Sequence, residues 1–240
     1  MKKHPLPYVS RRKMPVYMLV LHCSAQDTIG MIEVMHQYKV SSHYIVGYNG
    51  EITQTADDYD SAHHAGKSFW RGHEDLNQCS IGIEISNPTL GQTEYTKEQI
   101  DTLIKFLPEL IAKYDIKQRN IIGHSDIAPT RKPDPGIAFP WKLLSEHGVG
   151  VWYDINDAGK MAEKDVAKLL NIIGYDTRTE ESVLASCYAF RRRFLPDEVK
   201  IDNDIAHLVN NVYPVGDKSL KEGKKFLNAL KAVAYKYLNM

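Results

Sequence analysis

The 240-residue chain has little cysteine, no net charge and no long apolar run. Its three cysteines, Cys23, Cys79 and Cys187, lie far apart, which predicts neither a CxxC metal motif nor a disulfide framework. Lys plus Arg and Asp plus Glu both number 30, so no bulk charge favours nucleic acid or an anionic membrane as a partner. No apolar stretch approaches the roughly 20 residues of a membrane span.

The beginning of the chain also lacks the features of an export signal. Residues 1–13 are basic in part, but they contain neither an apolar core of secretory length nor a cysteine for lipidation. We therefore expect a cytoplasmic protein with reduced thiols, and a periplasmic location is the alternative. A compact HExxH zinc motif is missing as well, so any metal site must be assembled from distant residues.

The chain does have the apolar patterns of an α/β fold. Val16–Cys23 is long and apolar enough for a buried strand, and Cys79–Ser86 alternates as a strand does, with Gly82 and Glu84 on one face. Asn49-Gly50 predicts a tight hairpin in which both turn residues take positive φ. The periodicity of residues 27–38 and 96–114 predicts two helices, the second kinked or broken at Pro108.

The pattern changes after Trp141. Residues 146–150 are rich in glycine and typical of a linker, and helical periodicity follows at residues 166–173 and 179–194. We therefore predict a central mixed β-sheet flanked by helices in residues 1–148. A small all-helical domain is predicted for residues 149–240.

Five residues are candidates for chemistry because they fall at strand ends or in the adjoining loops. His22 ends the first apolar run, and Glu84 lies in a later strand next to a glycine that clears space. His124, Lys132 and Asp134 belong to the stretch 121–136, where the prolines would stiffen a folded-back loop.

Two imidazoles and one carboxylate form a ligand set of catalytic zinc sites, with a fourth position left for water. Glu84 could then transfer protons, and Lys132 could stabilise an oxyanion. Spacing alone leaves other interpretations open. His22 could be a core histidine, Glu84 a solvent-facing strand residue, Lys132 a solvated lysine and Asp134 a turn residue.

Five motifs, in order over about residues 15–145, carry a family resemblance. They are LVLHCS around His22, SSHY at 41–44, HAG at 64–66, SIGIE ending at Glu84, and GHSDIAP…RKPDPG over 123–136. These motifs resemble the type 2 N-acetylmuramoyl-L-alanine amidases, a zinc family. The resemblance implies one zinc ion per chain held by His22, His124 and Asp134. It also implies catalytic roles for Glu84 and Lys132.

The resemblance further implies a substrate groove built from residues whose individual roles are less specific: Tyr44, His64, Phe69, Trp70, Arg71 and Asn77. Core packing is the alternative for Phe69 and Trp70. Residues 166–194 resemble a helical peptidoglycan-binding module whose second helix ends in an aromatic and basic tip. Amphipathic helices packed on the catalytic domain are the alternative there.

The reaction implied is hydrolysis of the amide between N-acetylmuramic acid, including 1,6-anhydro forms, and L-alanine of peptidoglycan stem peptides. The expected partners are muropeptides or other peptidoglycan fragments from cell-wall turnover and recycling; the oligomeric state is left open. A non-catalytic peptidoglycan receptor and an exported autolysin acting on polymeric wall are the alternatives. The complete ligand set favours an enzyme, since receptors of this family commonly lose a zinc ligand.

Overall fold

A six-stranded mixed sheet forms the centre of the computed structural model, which describes residues 1–240. The strands of the whole chain are β1 Lys2–Lys3, β2 Val9–Arg11, β3 Met18–Ser24, β4 Tyr44–Val46, β5 Ile52–Gln54, β6 Asp60–Ala62, β7 Phe69–Trp70, β8 His73–Glu74, β9 Ser80–Ser86 and β10 Ile121–Gly123. The order in the sheet is β1-β5-β4-β9-β3-β10, and β4, β9, β3 and β10 are mutually parallel. The remaining strands form two small antiparallel pairs, β2–β6 and β7–β8.

Eight α-helices surround or follow this sheet: α1 Thr28–Tyr38, α2 Lys97–Tyr114, α3 His124–Ile127, α4 Trp141–Glu146, α5 Val166–Ile173, α6 Glu180–Phe194, α7 Ile205–Asn210 and α8 Lys224–Leu238. The helix start at Thr96 is specified by a reciprocal capping box with Gln99. Gly174 ends α5 with a φ of 132°, a conformation that a glycine adopts readily. No helix combines the length and apolar character needed to cross a bilayer.

The predicted α/β class, with a mixed central sheet, flanking helices and a helical C-terminal part, is confirmed. Two local expectations need correction. Of the kink or break expected at Pro108, the break is absent: helix α2 continues through Pro108, because Leu103, Leu107 and Leu110 on its inner face are buried in the core. The β4–β5 hairpin has five loop residues between the strands, and only Gly50 in its Asn-Gly pair takes positive φ.

Each face of the sheet packs on its own hydrophobic cluster. Leu19, Leu21 and the isoleucines of β9 face α2, whereas Met18 and Val20 belong to a cluster that includes side chains of α5, α6 and α8. The strand alternation therefore places His22 on the same face as Val20, towards the C-terminal helices. The division of the chain at residues 148 and 149 stays a prediction, but the C-terminal helices share a core with the sheet.

Candidate metal centre

The carboxyl ends of three adjacent parallel strands meet at one edge of the sheet. Strand β3 lies between β9 and β10, and the register pairs His22 directly with Glu84. On the other side, Gly123 pairs with Leu21, so His124 follows at the level of His22. The topology thus brings together side chains that are up to 102 residues apart in sequence, at the position where open α/β sheets bind ligands.

The loop after α3 folds back and returns Asp134 to His124. The backbone N–H of Ser125 donates to the carbonyl oxygen of Asp134 at 2.8 Å. Residues 90–91 pack closely against this loop. A Cβ on Gly91 would lie only 1.9 Å from the carbonyl oxygen of Pro135. A side chain at Gly91 would therefore displace the loop.

Three donor atoms converge where the sequence predicted metal ligands. His22 Nδ1 lies 2.9 Å from His124 Nδ1, and Asp134 Oδ2 lies 3.1 Å from His124 Nδ1 and 3.4 Å from His22 Nδ1. Tetrahedral zinc with bonds of about 2.0–2.1 Å separates neighbouring ligand atoms by about 3.3 Å. The triangle therefore has the size of one face of a zinc tetrahedron, and the three residues fit this metal.

The protonation states of His22 and Asp134 suit a cation. Burial lowers the pKa of His22 to about 4, so its imidazole is neutral at neutral pH. Burial alone would raise the pKa of Asp134, but the adjacent His124 and His22 rings hold that pKa well below its usual range. An ionised carboxylate and a neutral imidazole are the forms that bind zinc.

A chain of hydrogen bonds behind His22 orients its ring. Ser80 Oγ donates to the carbonyl of Leu76 at 2.6 Å, so the Ser80 oxygen is left to accept from His64 Nε2, 3.2 Å away. In that tautomer His64 Nδ1 accepts from His22 Nε2 at 3.0 Å. This sequence of donors leaves the lone pair of His22 Nδ1 free for a metal. Gly82 leaves the space for the His64 ring, which would lie 2.4 Å from a Cβ there.

Asn77 holds the segment that supports both histidine ligands. Its Oδ1 accepts hydrogen bonds from the backbone N–H groups of His64 and Ala65, at 3.0 and 2.8 Å. The carbonyl of Ala65 in turn accepts a hydrogen bond from His124 Nε2 at 3.3 Å, which leaves His124 Nδ1 free. His64 and Asn77 therefore have clear positioning contacts, and the substrate-binding role predicted for them stays a prediction.

Glu84 lies beside the proposed ligands and is only partly buried. Burial, and then the negative charge of Asp134, raise the pKa of Glu84 to about 8, whereas the Lys132 cation lowers it. A carboxyl group with a pKa near neutral pH can both accept and return a proton. Lys132 is partly buried in the same loop as Asp134, and its charge acts on Glu84 and His22. The catalytic roles of Glu84 and Lys132 stay predictions.

The other predicted substrate residues lie in different settings. Trp70 is fully buried against Tyr175, and Tyr44 is buried with its hydroxyl on Asp58 at 2.7 Å. Arg71 donates to carbonyls at the end of α5, while Phe69 is partly exposed. Trp70 and Tyr44 are therefore core residues in this structure. Neither exposes surface that a substrate could contact, so their predicted substrate-binding role stays a prediction.

A buried ion pair beneath His124 was not predicted. Arg193 Nη1 donates to Asp126 Oδ2 at 2.7 Å, and both side chains are at most 2% exposed. Asp126 also accepts from the Tyr175 hydroxyl at 2.6 Å and from the N–H of Gly123 at 2.9 Å. Asp126 belongs to the GHSD motif, so the sequence could have indicated it. Its partners Tyr175 and Arg193 lie 49 and 67 residues further along the chain and belong to no motif, so the ion pair could not be predicted.

The aromatic and basic end of α6 is turned inward. Arg191, Arg192 and Arg193 are between 3% and 7% exposed, so this end of the helix is part of the core. The C-terminal region therefore touches the metal centre through Asp126. The predicted peptidoglycan-binding role of residues 149–240 stays a prediction.

Comparison with known proteins gives the family of the chain. Residues 12–137, more than half of the chain, match the model of the N-acetylmuramoyl-L-alanine amidases. The chain belongs to this amidase family. All five residues proposed for catalysis and metal binding lie within the matched range.

Relatives of this amidase include proteins of two kinds. Over 208 residues it is 36% identical to the N-acetylmuramoyl-L-alanine amidase AmiD of Escherichia coli, covering 75% of both chains. Over 109 residues it is 40% identical to the 1,6-anhydro-N-acetylmuramyl-L-alanine amidase AmpD of Enterobacter cloacae, which covers 45% of this amidase and 57% of AmpD. The second match therefore covers less than half of this amidase.

Solved structures resemble this amidase over nearly its whole length. AmiD of E. coli, in a complex with the substrate anhydro-N-acetylmuramic acid-L-Ala-D-γ-Glu-L-Lys, has a TM-score of 0.72 and 30% identity, covering 92% of this amidase and 90% of AmiD. AmpDh3 of Pseudomonas aeruginosa has a TM-score of 0.75 and 27% identity, covering 97% of this amidase and 94% of AmpDh3. The C-terminal helices are thus part of the shared architecture.

Proposed function

We propose that this protein is a zinc-dependent hydrolase of the amide bond between N-acetylmuramic acid and L-alanine of peptidoglycan stem peptides. The observation that carries the proposal is the convergence of the His22, His124 and Asp134 donor atoms, with Glu84 opposite His22 in the strand register. That combination supplies a metal site and an acid–base group at one sheet edge.

The metal would be held by His22 Nδ1, His124 Nδ1 and one oxygen of Asp134. A zinc ion supplies Lewis acidity, which polarises an amide carbonyl and lowers the pKa of water. One carboxylate with two imidazoles is typical of catalytic zinc sites, which keep a position open for the reactants. We propose one such ion per chain.

The roles of Glu84 and Lys132 follow from their positions. Glu84 takes a proton from the attacking water and returns it to the nitrogen that leaves as the amide bond breaks. Lys132 lies near enough to Glu84 and His22 to lower the pKa of both, so its charge also reaches the reacting carbonyl. We propose that it stabilises the oxyanion of the tetrahedral intermediate.

A cavity of about 640 Å³ beside the metal centre is the proposed stem-peptide groove. Arg131 of its lining and the proposed ligand His124 both donate to the carbonyl of Ala65, which lies between the cavity and the centre. The lining of the cavity includes Phe69, three cations (Lys67, Arg131 and Arg178) and three carboxylates (Glu74, Asp75 and Asp176). Arg178 is paired with Glu74 and Asp176, so Lys67 and Arg131 are the cations proposed to meet the free carboxylates of a stem peptide.

The natural substrates are proposed to include 1,6-anhydro muropeptides released in wall turnover, which would place the enzyme in recycling. The name of AmpD and the ligands bound to AmiD and AmpDh3 support this choice. A receptor without activity is disfavoured, since the complete ligand set and Glu84 serve no purpose in binding alone. An autolysin that acts on polymeric wall would use the same chemistry, so an experiment must distinguish it from a recycling enzyme.

The substrate preference is tested by comparing two substrates. Purified enzyme is incubated with an anhydromuropeptide and with intact sacculi, and the products are identified by mass. We expect release of the stem peptide from the anhydromuropeptide, with slower release from sacculi. Faster release from sacculi would assign the enzyme to polymeric wall, and release from neither would favour the receptor.

Two further parts of the proposal concern organisation. We propose that residues 1–148 form the catalytic domain and residues 149–240 a helical domain that binds peptidoglycan as well as supporting the metal centre. The cytoplasmic location stays a prediction, and fractionation of cells expressing the gene with its full upstream region tests it.

A further inference from the structure

Tyr95 lies directly before α2 and reaches the loop that carries the proposed ligand Asp134. Its side chain is buried, and its hydroxyl donates to the carbonyl oxygen of Pro135 at 2.7 Å. That carbonyl has no other hydrogen-bond partner, and no other side chain hydrogen-bonds the backbone of residues 132–138. Tyr95 is therefore the one side chain that fixes this part of the loop by a hydrogen bond to its backbone.

The backbone around Asp134 is held from two directions. The carbonyl oxygen of Asp134 accepts from the N–H of Ser125 at 2.8 Å, which ties it to α3. The next carbonyl, that of Pro135, accepts from Tyr95, which belongs to another segment of the chain. Because peptide units are rigid planes, a shift of Pro135 is transmitted to Asp134.

The position of Tyr95 is itself well determined. The next residue, Thr96, is the N-cap of α2 and forms the capping box with Gln99. The side-chain nitrogen of Gln99 donates to the carbonyl of Ser86 at 2.7 Å, at the end of β9. The ring of Tyr95 packs edge-on against Phe139, with the ring centroids 5.3 Å apart. The phenol thus joins the sheet edge to the loop.

The triangle of donor atoms leaves little tolerance for movement of Asp134. Its Oδ2 atom lies 3.1 Å from His124 Nδ1 and 3.4 Å from His22 Nδ1. A metal site requires ligand distances within about 0.2 Å of their ideal values. The two histidines belong to a strand or directly follow one, whereas Asp134 lies in a loop. The position of Asp134 therefore depends most on support from other segments.

We propose that Tyr95 is a positioning residue of the metal centre, which holds Asp134, through the carbonyl of Pro135, where a zinc ion can be bound. The inference rests on the proposed function for the identity of the metal. Partners outside the ligand set orient metal ligands, and their loss typically weakens metal binding about 10- to 100-fold. The Tyr95 hydroxyl hydrogen-bonds none of the three ligand side chains, so its effect passes through the backbone.

Tyr95→Phe tests the proposal, because it removes the hydroxyl and keeps the ring that packs on Phe139. The zinc affinity of the metal-free, full-length protein is measured by competition with a chelating indicator, and we expect a loss of about 10- to 100-fold. With zinc at saturation, kcat should fall while KM for a muropeptide stays unchanged, since the groove residues are intact. Cobalt(II) in place of zinc should give a visible spectrum that differs from that of wild type, because the spectrum depends on ligand geometry.

Tyr114→Phe is the matched control. The Tyr114 hydroxyl also donates a hydrogen bond of 2.7 Å, to the carboxylate of Asp58. Asp58 keeps two other donors, Tyr44 and Lys113. None of these residues hydrogen-bonds a proposed ligand, so the zinc affinity should change less than about twofold and the cobalt spectrum should match that of wild type.

Three outcomes would overturn the proposal. One is a zinc affinity of Tyr95→Phe equal to that of wild type. Another is a lower melting temperature of the metal-free variant with an unchanged cobalt spectrum, which would show a role in folding alone. A third is an equal loss of zinc affinity in Tyr114→Phe, which would show that loosening the fold anywhere weakens the site.

Failure of the proposed function would give a different result. A wild type that binds one zinc ion but releases no stem peptide, with the zinc bound more weakly in Tyr95→Phe, would retain the positioning role and refute the proposed function.

Discussion

Replacing Glu84 by Gln is expected to lower kcat by a factor of about 10² to 10⁴ while the protein keeps its zinc and its fold. The substitution preserves the size of the side chain and removes the carboxyl group that is proposed to accept and return the proton. The three proposed ligand atoms belong to other residues, so metal content should not change. Steady-state hydrolysis of a muropeptide and metal analysis of the same sample measure both quantities.

Glu33→Gln is the matched control for this substitution. Glu33 is exposed on α1 and away from the metal centre, so its replacement should leave kcat and zinc content at wild-type values. A Glu84→Gln enzyme with nearly full kcat would show that another group moves the proton. Loss of zinc together with activity would instead give Glu84 a structural role.

Replacing Arg193 by Met is expected to lower the free energy of unfolding by about 3–5 kcal/mol. The change leaves Asp126 as a buried carboxylate without its ionic partner, directly beneath the strand end that presents His124. We also expect weaker zinc binding, because the N–H of Gly123 and the turn after it depend on Asp126 for their position. Urea unfolding of the metal-free protein and competition with a zinc indicator measure the two effects.

Arg178→Met is the control, since Arg178 forms ion pairs with Glu74 and Asp176 but is 54% exposed. Exposed pairs contribute at most about 1 kcal/mol, so this variant should unfold nearly as wild type does and keep its zinc affinity. If Arg193→Met proved equally harmless, the C-terminal helices would not support the metal centre in the way their contacts indicate.

The sequence was sufficient to predict the sheet, the two main helices of the first half and the ligand candidates. His22, Glu84 and His124 could be recognised because each follows or interrupts an apolar strand pattern, and parallel strands end at a common edge. The hairpin at Asn49-Gly50 shows the limit of such patterns. The dipeptide indicated a two-residue turn, whereas tertiary contacts of Gly50 with α2 set a longer loop.

Contacts between distant segments could not be predicted in the same way. Arg191, Arg192 and Arg193 follow one another in α6, and a run of three arginines ordinarily indicates a solvated surface. Each is buried against different contacts that depend on residues elsewhere: Glu198 for the first, the carbonyl of Val212 for the second and Asp126 for the third. Similarly, Trp70 packs on Tyr175, which follows α5 and lies about 100 residues further along the chain.

The central claim is that one zinc ion, held by His22, His124 and Asp134, enables hydrolysis at the N-acetylmuramic acid–L-alanine bond. The most direct test measures zinc per chain and product release in the same preparation, before and after chelation and after zinc is returned. We predict about one zinc per chain, loss of hydrolysis on chelation and recovery with about one equivalent of zinc. Full hydrolysis by protein that contains almost no metal would contradict the claim.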